Sequence, residues 1–135
     1  MTGPLREHGA LARGAFAVAV LVSLAVLFAP PSDVPPSPDG VDKVVHFCLF
    51  AVLAVTGRWA GVRRSALCVV LVLYAGVSEL VQGTDLVDRD ASVGDVVADS
   101  AGVIAGVLLW RLVASRRARP GSSSGGPPCA ASGEW

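Results

Sequence analysis

Asp42 and His46 stand four residues apart, Glu79 and Gln82 three, and Asp95 and Asp99 four, so that on helices each pair shares a face. With Lys43, Arg89 and Ser92 beside them, these residues could do two kinds of chemistry. Basic side chains, carboxylates and an amide can grip a polar or anionic group. A histidine with a glutamate can also shuttle a proton while an arginine stabilises developing negative charge. No signature narrows this to a known reaction: H-E-x-x-H is missing, and the one G-x-S-x-G string, at residues 121–125, falls in the Gly-, Ser- and Pro-rich tail and is no nucleophile elbow. One histidine among carboxylates is thin support for a metal, so neither a metal nor a cofactor is expected.

The elements that must hold these residues are apolar. Of 135 residues, 53% are hydrophobic and only 16% charged, too greasy for an ordinary soluble domain of one-domain length. Leu11 to Ala29 is apolar apart from Arg13, Gly14 and Ser23 and reaches roughly 28 Å as a helix, about one bilayer core. Further apolar segments run from Val44 to about Ala60, from about Ser65 to Val81, and from Val93 to Val113. The reading is an all-α, multi-pass transmembrane bundle of four helices. Residues 1–10 form an N-terminal segment, 11–113 the membrane domain, and 114–135 a disordered Gly-, Ser- and Pro-rich tail. The competing readings are a cleavable signal peptide at the first segment, opposed by Pro30 and the three segments beyond it, and a soluble helical domain.

Pro30, Pro31, Pro35, Pro36 and Pro38 make the first connection an extended strap. Cys48, Cys68 and Cys129 are an odd number without close pairing and support no disulfide framework.

The net charge is zero, leaving no basic field for nucleic acid, but the neutrality hides an asymmetry. If four helices alternate, residues 1–14, 57–65 and 110–135 share one side and hold nine bases to two acids. Residues 30–43 and 79–99 share the other, with two bases to nine acids. Positive segments stay in the cytoplasm, so both termini are expected inside and the acidic connections outside.

That topology carries Asp42, Lys43, His46, Glu79, Gln82, Arg89, Ser92, Asp95 and Asp99 to one outer boundary. On the fourth helix the stripe through Asp95 and Asp99 continues through Gly102 and Gly106, a small-xxx-small pair that lets another backbone approach, so the stripe should face inward. A lone carboxylate facing lipid at Asp99 would cost roughly 2.5–3.5 kcal/mol; Lys43, Arg89 and His46 are the available partners. Bland readings stand beside these. Asp42 serves equally as the N-cap of a solvated helix start, His46 as an interfacial histidine, and Asp85, Asp88 and Asp90 as loop charges. Phe47 and Phe50 suit lipid or core contact.

The ordered set Asp42-Lys43-Val44-Val45-His46-Phe47 with Phe50, then Glu79-x-x-Gln82, then Arg89-x-x-Ser92-x-x-Asp95-x-x-x-Asp99-x-x-Gly102 with Gly106 resembles the VanZ-like family of small bacterial membrane proteins. The resemblance covers about residues 42 to 106. It departs at Asp99, where members usually carry Asn. It implies a multi-pass protein of the cell membrane, with a founding member linked to low-level teicoplanin resistance, and no known reaction.

Three functions follow as expectations. One is a non-enzymatic accessory role in the envelope, with the polar cluster recognising the head of a lipid or a lipoglycopeptide. Another is an enzyme acting on a lipid headgroup through His46, Glu79 and Arg89. The third is a proton or ion pathway through Glu79 and Asp99, which apolar inner helix halves disfavour.

Overall fold

The computed structural model describes residues 9–29, 40–84 and 92–117. It contains α1 (Ala10–Leu27), α2 (Val41–Trp59), α3 (Arg64–Gln82) and α4 (Val93–Arg117), with no strand among the described residues. The proline strap, the 85–91 loop holding Arg89, Asp85, Asp88 and Asp90, and the tail beyond Arg117 lie outside them. Within the described residues α4 runs past the expected boundary at 113.

Helices α1, α3 and α4 are each long and apolar enough to cross a membrane. They turn outward a belt of large apolar side chains, among them Leu21, Val69, Leu73, Leu80 and Ile104, as a lipid-facing surface requires. Helix α2 falls short of the same standard, carrying Asp42, Lys43 and Arg58 within 17 residues. All three lie in its end turns, Asp42 and Lys43 in the first and Arg58 in the last, where long charged side chains can reach the polar boundary of a membrane. Among the described residues α2 packs most extensively against α4 and also touches α1 and α3.

The α2–α4 seam depends on glycine. A Cβ at Gly106 would lie 2.5 Å from the Ala51 carbonyl oxygen, and one at Gly102 would strike the Phe47 carbonyl. The two glycines meet α2 in the same chain order, Phe47 and Ala51 and then Ala51 and Ala54, so the two helices run parallel. The close approach of their backbones is what the small-xxx-small pair permits. Gly57 was not singled out by spacing, yet it makes room for Leu67 and Phe16 where α1, α2 and α3 meet.

Helix α2 ends in a Schellman motif: Val62 N–H bonds the Gly57 carbonyl (3.0 Å) and Gly61 N–H the Arg58 carbonyl (3.1 Å). Gly61 sits at φ 92, a left-handed conformation that glycine adopts without strain. The core contains Phe50, Leu53, Leu67, Leu71 and Val103. Phe50 belongs to it, whereas Phe47 is partly exposed on the apolar surface.

Candidate functional site

The N-terminal turns of α2 and α4 and the C-terminal turn of α3 come together at the end of the bundle away from the α2–α3 turn. His46 lies five residues into α2, Glu79 three from the end of α3 and Asp99 six into α4, depths of roughly 5–9 Å along the axes. All three are buried, as are Gln82 and Asp95. Gathering ionisable groups in an apolar bundle is costly, so their partners decide what the site can do.

His46 Nδ1–H donates to Asp99 Oδ1 at 3.0 Å and lies 3.8 Å from Glu79 Oε1. Of the three expected partners of Asp99, the structure selects His46 over Lys43, and Arg89 lies outside the described residues. Lys43 instead reaches Asp95, 3.3 Å from Oδ1, and Asp42 at 3.4 Å. Its side chain is 46% exposed, so the ammonium stands at the rim with its stem over Gly94, where a Cβ would lie 2.9 Å from Cε. Asp42 is not the N-cap of α2. Gly40 holds that position, at φ 91 and with no side-chain cap, which leaves Asp42 in the first turn, where a carboxylate complements the helix dipole.

Two other residues of the set fasten helix ends. Glu79 Oε2 accepts from Ser92 N–H at 2.9 Å, tying the start of α4 to the end of α3. Gln82 Nε2–H donates to the Leu27 carbonyl at 2.7 Å, satisfying an acceptor at the end of α1 that the helix leaves without a partner. The structure therefore joins eight of the nine polar residues at one end, with Arg89 outside the described residues.

Sequence reasoning overlooked Tyr74. Ser23 spends its hydroxyl proton on the Val20 carbonyl (2.8 Å), so the Tyr74 hydroxyl donates to Ser23 Oγ at 3.2 Å and pins α3 to α1. The signal was present, since Ser23 interrupts an apolar run, but its partner lies 51 residues away and no helical spacing connects the two. Tyr74 also packs on Phe50, ring centroids 5.5 Å apart.

Below the cluster the core side chains Phe50, Leu53, Leu67 and Leu71 are apolar, interrupted by the Ser23–Tyr74 hydrogen bond and the buried Ser78. The arrangement is a buried polar cluster with the Lys43 ammonium exposed at its edge, able to bind a polar group or to exchange protons within itself. A family model described as VanZ/LLP1 matches residues 8–114. No curated protein and no solved structure matches the chain.

Proposed function

We propose, from the premise that the chain belongs to the VanZ/LLP1 family, that this membrane protein uses the polar end of its bundle to recognise the hydrophilic head of an envelope lipid or lipoglycopeptide. The role is accessory rather than enzymatic. The polar end faces outward, where such heads lie, and both chain termini are cytoplasmic, in line with the arginine-rich segments on the opposite side. One observation carries the reading: ionisable residues from three helices are buried together at one end of a lipid-compatible bundle, with the Lys43 ammonium exposed at its rim. Such groups weigh against stability in an apolar bundle and are retained where they serve a function. Lys43, with Arg89 from the adjoining loop, supplies positive charge for a phosphate or carboxylate, and Asp42 is placed for amines and hydroxyls.

The test is native mass spectrometry of the protein released from membranes, together with teicoplanin sensitivity of cells with and without it. Wild type should retain a defined lipid or glycopeptide and shift sensitivity. Lys43→Ala and Arg89→Ala should lose both effects while Arg116→Ala keeps them. Unchanged behaviour of the first two variants would overturn the proposal.

A second reading rests on the His46–Asp99 hydrogen bond, which orients an imidazole beside Glu79 as an acid–base pair requires. Turnover of a labelled envelope lipid, abolished by His46→Ala, would favour it.

A further inference from the structure

Lys43 is the cation paired with Asp95, which leaves Glu79 and Asp99 buried with His46 as their close basic partner among the described residues. Each carboxylate uses one oxygen: Glu79 Oε2 on Ser92 N–H and Asp99 Oδ1 on His46. The other two, Glu79 Oε1 and Asp99 Oδ2, are buried without a hydrogen-bond partner, on side chains only 6% and 0% exposed. A buried acceptor left unmatched costs about 1–3 kcal/mol, more if it is charged. Two such oxygens around one imidazole are the donor set that a cation would satisfy.

We infer that His46, Glu79 and Asp99 hold a divalent cation of the zinc and manganese class. One ligand atom from each residue lies within 4.8 Å of the other two, and the His46 nitrogen is already 3.0 Å from Asp99 and 3.8 Å from Glu79. Tetrahedral metal bonds of about 2.0–2.2 Å to nitrogen and oxygen set donors roughly 3.3–3.6 Å apart, so the two pairs that include His46 need to move only a few tenths of an ångström, while a carboxylate pair as wide as 4.8 Å must close by about 1.2 Å or more. On binding, the Nδ1 proton passes to solvent and the ring keeps a proton on Nε2, so that a neutral imidazole turns its Nδ1 lone pair to the ion, a 2+ charge meets two carboxylates and the site becomes neutral. One nitrogen and two oxygens suit zinc or manganese and do not suit a thiolate-seeking ion. Ser92 N–H holds the Glu79 carboxylate by its other oxygen, the outer support that metal ligands usually have. Three protein donors leave a position open. Its use by an anionic oxygen of a bound head rests on the proposed function, whereas binding of the ion itself does not.

The test is metal content, measured without any lipid or drug. Full-length protein carrying a tag without histidines is stripped with chelator in detergent, dialysed separately against Zn2+ and Mn2+, and analysed by inductively coupled plasma mass spectrometry. The same is done in a Cys48→Ala/Cys68→Ala/Cys129→Ala/His8→Ala background to remove competing ligands. About one tightly held ion per chain is expected in both. Affinity should fall ~10-fold or more in His46→Ala and Asp99→Asn, and remain intact in Lys43→Ala. Zinc should raise the thermal midpoint of wild type and not of Asp99→Asn, which keeps a hydrogen-bonding group of the same shape and so remains folded. Absence of bound metal from the wild type, or an ion held equally well by Asp99→Asn, would overturn the inference. A wild type that binds the metal but retains no lipid or glycopeptide would count against the proposed function alone.

Discussion

At the α2–α3 turn, Arg63 and Arg64 are exposed, and Arg58 donates from its guanidinium to the Val62 carbonyl. Every charge there is solvated or spent on capping a helix. At the opposite end Glu79, Asp95, Asp99 and His46 are buried, and their bonds cross between helices. Both ends are rich in charge, yet one treats it as surface and the other as interior. Surface charge near a helix end contributes little to stability and can set orientation in a membrane. Interior charge weakens the bundle unless each group finds a partner, and its concentration at one end is why the proposed binding site is placed there.

Substitutions can break or sharpen that contrast. The largest effect is expected at the polar end from His46→Ala, which strips the partner from Asp99 and should cost about 3–5 kcal/mol, read as a lowered unfolding midpoint in detergent. Gly106→Leu should follow at about 3 kcal/mol, because its side chain would push α4 off the α2 backbone. It should also disturb the polar end, since the same seam carries His46 and Asp99. Gln82→Leu orphans the Leu27 carbonyl and should cost about 1–2 kcal/mol, with hydrogen exchange rising first at the C-terminal turn of α1. Arg63→Ala with Arg64→Ala should be the mildest, leaving the midpoint within about 0.5 kcal/mol of wild type and altering only the fraction inserted in the correct orientation. A large loss of stability from the arginine pair would abolish the distinction between the two ends.

Much of this contrast is legible in the sequence, and the legible part is what periodicity encodes. The i,i+4 spacing of Asp42 with His46 and of Asp95 with Asp99, and the Gly102 to Gly106 step, identify the faces that converge, because side-chain direction on a helix follows from residue number. Partner choice does not follow from spacing. Asp99 could be matched with Lys43, Arg89 or His46 from sequence, and only the register of the α2–α4 seam selects His46 for Asp99 and Lys43 for Asp95. Gln82 shows the same limit: as a type it suits ligand contact, but its amide lies under the end of α1, a neighbour fixed by tertiary packing. Tyr74 and Gly57 escaped notice because each matters through a residue on a distant helix rather than through a pattern on its own.

If His46, Glu79 and Asp99 are kept for function and not for holding the bundle together, the decisive measurement is on the triple variant His46→Leu/Glu79→Gln/Asp99→Leu, which removes these three ionisable groups, leaves the Lys43–Asp95 pair and keeps an acceptor for Ser92 N–H. Replacing a buried ionic cluster with apolar groups of similar size is often neutral or stabilising, unlike removal of one partner. The account predicts an unfolding midpoint equal to or above that of wild type, together with complete loss of lipid or glycopeptide retention. A midpoint falling as far as that of His46→Ala, or retention that persists in the triple variant, would contradict it.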